Sequence, residues 1–196
     1  MRNTALILIP LLFCAALLRA QDKHPPLDNN SAFYEGETMN YIVAPPDSFK
    51  MVSDDAVDDG YSFAFIPKGD DYKSASVIIG VNIFKVKAEQ KKQFTINELI
   101  GNDTTAIREH FGKELSISEV DPIMTDDGHI LRTIYLNDSL AFIPNVMMSY
   151  YDGGTEVFIF DLSISSTYPR FKAEHYYLDC VKRFRVMLKG DLGMKN

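Results

Sequence analysis

Residues 130–164 read ILRTIYLNDSLAFIPNVMMSYYDGGTEVFIFDLSI, and this stretch decides the fold. Three apolar runs, 130–136, 140–151 and 156–164, are joined by Asn137-Asp138-Ser139 and Asp152-Gly153-Gly154. Both connectors use residues that tolerate positive φ or hydrogen-bond their own backbone, as hairpin turns require. In the last run Phe158, Phe160, Leu162 and Ile164 share one face, and Val157, Ile159 and Asp161 the other. Connections this short hold no crossover helix. The connections point to antiparallel pairing and disfavour a doubly wound parallel sheet.

Working outward, Asp126-Asp127-Gly128 divides a run at 115–123 from the Ile130 strand in the same way. In 76–86, Val77, Ile79, Val81 and Ile83 lie on one face and Ile78, Phe84 and Val86 on the other. Apolar residues on both faces predict a central strand covered from two sides. Tyr61, Phe63 and Phe65 alternate with Ser62, Ala64 and Ile66 until Pro67-Lys68-Gly69 ends the run.

Two helices interrupt the strands. Thr95-Ile96-Asn97-Glu98 is a capping box, in which each side chain satisfies the other residue's backbone amide. Ile96, Leu99, Ile100, Ile107 and Phe111 follow at helical spacing, with Gly112 as terminator. The second helix starts near Pro169 and is expected to bury Phe171, Leu178, Val181 and Phe184, with Tyr177 alongside. The expected class is α+β, a mostly antiparallel sheet with helices packed on it.

The first twenty residues place the protein. Arg2 precedes an apolar run at 5–18 broken by Pro10, and Ala20 stands just ahead of Gln21. Such a run is short for a bilayer span and suits an export signal. Cleavage near Ala20/Gln21 leaves 176 residues, and the loss of Arg2 and Arg19 takes the formal charge from −7 to −9. The expected location is extracytoplasmic, periplasmic or secreted. Residues 21–38 read as a flexible lead-in, 39–188 as a single domain and 189–196 as a frayed C-terminus. An acidic domain repels phosphate backbones and anionic lipid, so nucleic acid and membrane insertion are not expected.

Cys14 lies in the signal. A lipoprotein signal also carries a cysteine there, but it wants a small residue before it, and Phe13 occupies that place. Cys180 is then alone, and its position relative to Tyr177 and Phe184 predicts a buried, inert thiol. Asn29, Asn102 and Asn137 open glycosylation triplets that matter only in a eukaryotic host.

Candidate chemistry is sparse. His24, His110, His129 and His175 have no metal-binding local spacing. Asp54, Asp55, Asp58 and Asp59 before Gly60 form an acid cluster without the alternating ligands of a calcium loop, and read as a solvated turn. No nucleophile elbow or phosphate loop is present in the sequence, and Cys180 lacks a nucleophile motif. Asp161 is the odd residue, an acid on an apolar strand face where burial would perturb it. Tyr150, Tyr151, Tyr176 and Tyr177 are candidates for a ligand groove, though at strand and helix spacing core and rim packing is the favoured reading. No catalytic, cofactor-binding or metal residue is assigned, and no cofactor is expected.

The phrases Tyr41-Ile42-Val43-Ala44-Pro45-Pro46-Asp47-Ser48-Phe49 and Phe63-Ala64-Phe65-Ile66-Pro67 open a longer pattern. The strand at 77–86, the helix at 96–111, the meander and a closing helix into Phe184-Arg185-Val186-Met187 complete it. In this order of elements, over 39–188, the chain resembles the PsbP-like superfamily, named for the extrinsic lumenal protein of photosystem II. The resemblance implies an antiparallel sheet between helix layers and an exported accessory role without catalysis. The tryptophan common near the first strands of such domains is missing, with Phe49 and Tyr61 nearby instead, and no metal or partner residue carries over.

The leading expectation is an exported, monomeric, non-catalytic accessory or binding protein for an unknown protein or small molecule. One alternative is an extracytoplasmic enzyme whose Asp161, a histidine and a tyrosine converge only in three dimensions. Another is a lipid-anchored envelope component.

Overall fold

The hairpin runs assemble around Phe158 and Phe160, both fully buried at the centre of the molecule. The computed structural model describes residues 30–87, 95–111, 115–137 and 145–189. In chain order its first elements are β1 (Ala32–Glu35), β2 (Met39–Val43), β3 (Phe49–Val52), α1 (Asp54–Asp58) and β4 (Phe63–Pro67). A 3-10 turn at Tyr72–Ser74, β5 (Val77–Lys85) and α2 (Ile96–Phe111) come next. Then follow β6 (Ser116–Met124), β7 (Ile130–Asn137), β8 (Asn145–Asp152), β9 (Glu156–Ile164), α3 (Arg170–Lys182) and β10 (Arg185–Leu188).

Seven strands form one sheet in the order β3-β4-β5-β9-β8-β7-β6, and β1-β2-β10 form a second. Among the described residues every strand pairing is antiparallel. The expected α+β class is therefore observed, with β5 central between β4 and β9. The turn chemistry is as the sequence predicts. Gly128 and Gly154 adopt φ of +89° and +79° in the β6–β7 and β8–β9 hairpins, and Gly154 N–H donates to Asp152 Oδ1 at 2.8 Å.

Each face of the large sheet has its own cover. On one, Phe63, Phe65, Val77, Ile79, Phe158, Phe160 and Leu162 pack with Tyr41 and Val43 of the small sheet and with α3. Each fully buried phenylalanine there contributes about 1.5–3 kcal/mol. A hydroxyl chain crosses this core: Tyr177 donates to Ser149 Oγ at 2.7 Å, which lies 2.8 Å from Thr133 Oγ1. On the other face, α2 lies over Ile134, Tyr150, Val157 and Ile159, while α1 and the 3-10 turn lie over Ala64 and Ile66.

The structure corrects four local expectations. The buried stripe of α3 is Ala173, Tyr177, Cys180 and Val181, continued by Phe184 beyond the helix. Phe171 is 71% exposed. It stands two residues from Ala173, about 200° around the helix, so the two cannot share a face. Second, the acid cluster is no open turn: Asp54–Asp58 is a short helix that buries Ala56. Asp54 and Asp55 occupy its first turn, where they complement the helix dipole.

Third, the lead-in is shorter than expected, because β1 occupies part of it and sets Tyr34 edge-on against Phe158. Its four residues are too few for alternation to stand out among polar neighbours. Fourth, the final apolar run 185–188 is a strand, β10, paired with β2. Residues 1–29, Gly112, Asp138, Ser139 and 140–144 lie outside the described residues, as do 190–196. So do the export signal and the start of the expected 140–151 strand.

Candidate functional site

Asp161 sits in β9 at the middle of the large sheet, 5% exposed. Pairing fixes its neighbours, Gly80 on β5 and Met148 on β8. Ala64 lies beyond Gly80 and Ile134 beyond Met148, so Asp161 has apolar cross-strand neighbours for two strands on either side, and the row ends in Glu119 on β6.

The surroundings follow from two glycines. Gly60, at φ +88°, closes the turn after α1 and delivers Tyr61, whose N–H donates to Ala56 O at 3.0 Å. Gly80 leaves room for the Tyr61 ring directly over the β5 backbone; a Cβ there would stand 2.2 Å from Tyr61 Cε1. So placed, the Tyr61 hydroxyl donates to Asp161 Oδ1 at 3.2 Å, and Ser163 Oγ donates to the same oxygen at 3.2 Å. Burial, and then the Asp161 charge, push the Tyr61 phenol well above its ordinary value. Tyr72 of the 3-10 turn is raised by burial first and by Asp59, Asp55 and Asp161 after it.

Across the same face the pattern recurs. Tyr150 on β8 donates to Asp103 Oδ2 of α2 at 3.1 Å. Burial and Asp103 raise the phenol, and burial raises the Asp103 carboxyl. A third pair joins the two sheets. Glu156, 1% exposed, accepts from Tyr41 at 3.2 Å, from the Glu37 N–H at 2.7 Å and from the Thr155 hydroxyl. In each pair a phenol kept in its neutral form serves as a fixed donor to a carboxylate. Such a phenol is a poor nucleophile and base at neutral pH.

The other candidates are dispersed. His129 Nε2 lies 3.7 Å from Asp127 Oδ2, and its ring meets Tyr151 edge-on at 5.6 Å. His110 closes α2 against the Phe111 ring, and His175 is exposed on α3. His24 lies outside the described residues. Among the described residues no group of three or more histidine, cysteine, aspartate or glutamate side chains converges to hold a metal. Cys180 is buried with a free thiol that burial pushes well up. Of the four tyrosines, Tyr150, Tyr151 and Tyr177 are core residues, and Tyr176 tilts against Phe49 at 5.0 Å.

Sequence reasoning found Asp161 and missed its partners. Gly80 was the available signal, since a lone glycine inside an apolar strand marks the close approach of another group. Asp103 and Glu156 carry no such mark. Asp103 is one acid among several polar residues of an amphipathic helix, and Glu156 opens a strand after a polar turn.

Among the described residues no helix is long and apolar enough to cross a membrane. No protein-family model matches the chain. No curated protein matches it in sequence. Among solved structures, it is similar to the solution structure of cyanobacterial PsbP from Synechocystis sp. PCC 6803, at 12% identity and a TM-score of 0.48. The match covers 84% of this chain and 97% of that one, and the likeness concerns the fold.

Proposed function

We propose that this is an exported, monomeric protein that binds or assists another molecule without catalysis. The observation that carries the reading is the use made of its buried polar groups. Tyr61, Tyr150 and Tyr41 are each spent on a carboxylate, Tyr177 on Ser149, and the Cys180 thiol is held protonated by burial. These groups tie sheet to helix and sheet to sheet, which favours a structural use of them over a reactive centre. The signal-like first twenty residues support export, and the acidic charge favours a partner other than nucleic acid.

The test is a panel of ester, peptide, phosphate and glycan substrates offered to the purified chain beginning at Gln21. The expected result is no turnover. Turnover that Asp161→Asn abolishes, with folding intact by circular dichroism, would replace this reading with an enzyme centred on Asp161.

A further inference from the structure

Helix α2 is a weaker cover than α3, by sequence and by packing. Its centre reads Gly101-Asn102-Asp103-Thr104-Thr105, five residues in succession with poor helix propensity. The hydroxyls of Thr104 and Thr105 both bond back to the Gly101 carbonyl, at 2.9 and 2.8 Å, a contact that competes with regular helical bonding. Among the described residues of α2 only Ile100 is buried, at 8% exposure. The comparable α3 buries Ala173, Tyr177, Cys180 and Val181. The described polar link from α2 to the sheet is the Tyr150–Asp103 bond.

Beneath this loose cover lies a firm floor. Ile134, Tyr150, Val157 and Ile159 stand on β7, β8 and β9, whose opposite faces are packed into the main core with α3. A segment with few buried apolar contacts opens before the rest of a protein does.

We propose that α2 is a detachable cover, which opens locally while the sheet stays folded and so uncovers an apolar face conditionally. This rests on the binding reading only for its purpose. Opening is measured with no partner present, so turnover in the substrate panel would sink that reading and leave this one standing.

Hydrogen-exchange mass spectrometry on the purified protein tests it. Amides of 96–111 are expected to exchange at least about tenfold faster than those of 170–182, as local opening requires. Gly101→Ala gives a sharper check, because no atom lies within 4 Å of the added Cβ. It should slow α2 exchange roughly fivefold, the factor that the glycine-to-alanine difference in helix propensity implies. Tyr150→Phe should speed α2 exchange several-fold and leave α3 unchanged. Equal protection of the two helices overturns the proposal, as does an α2 rate that Gly101→Ala leaves unaltered.

Discussion

The ring of Tyr61 occupies the space that a side chain at residue 80 would fill, so Gly80 is what lets the phenol reach Asp161. Two opposing effects bear on Gly80→Ala. Replacing glycine within a strand favours folding by about 0.5–1 kcal/mol through lost backbone freedom. Overpacking against a fixed ring costs about 1–3 kcal/mol, and displacing Tyr61 strips a donor from a buried carboxylate, about 1–3 kcal/mol more. The steric and polar losses win, and Gly80→Ala is expected to destabilise by about 2–4 kcal/mol in urea unfolding.

A double-mutant cycle with Tyr61→Ala separates the causes. With the ring gone the three atoms nearest the new methyl are gone too, so the two substitutions should cost at least about 1 kcal/mol less together than their sum. Strict additivity would show that the ring does not press on Gly80.

Glu156 ties the small sheet to the large one, and its cost of removal should show this. Glu156→Ala takes the acceptor from the Tyr41 hydroxyl and the Glu37 amide, leaves the Thr155 hydroxyl only Thr38 Oγ1 at 3.4 Å, and is expected to cost about 2–4 kcal/mol. Glu174→Ala is the control. That carboxylate also accepts from a tyrosine, Tyr135 at 2.9 Å, and pairs with Arg170, but it is only part-buried. Its loss should cost about 1 kcal/mol or less. Equal destabilisation by the two variants would remove Glu156 from this role.

The large sheet was legible in sequence because its strands are long and their turns chemically explicit. Asp152-Gly153-Gly154 and Asp126-Asp127-Gly128 needed no tertiary information, and the Thr95–Glu98 capping box forms as read, with reciprocal bonds of 3.2 Å. The small sheet was not legible. Its strands are four or five residues long, too short for alternation to stand out, and β10 lies a hundred and more residues from its partner β2. The phase of α3 failed for another reason. Phe171 is more apolar than Ala173, and only contact with β9 reveals that the helix turns its slim side inward. Asp161 was visible as an anomaly, whereas Tyr61 is brought to it by a turn whose geometry no periodicity encodes.

Alkaline titration should report the buried phenols together. Burial, with Asp127 and Asp152 nearby, pushes Tyr151 up to about 12, and Tyr41, Tyr61, Tyr150 and Tyr177 are raised as well. An unfolded phenol ionises near about 10. The folded state thus holds these protons more tightly than the unfolded state. Their contribution is complete below about pH 10 and is lost as pH rises through the folded values. For Tyr151 alone the loss between pH 10 and about 12 approaches about 1.4 kcal/mol per pH unit. The expected record is a small early rise in tyrosinate absorbance, then a steep late one coincident with loss of circular dichroism. Tyr151→Phe keeps the ring contacts with Tyr41 and Phe184, so it should move that late step to higher pH with little change in neutral stability. Ionisation of all ten tyrosines in one step near the ordinary value, with the fold intact, would contradict the burial of these hydroxyls.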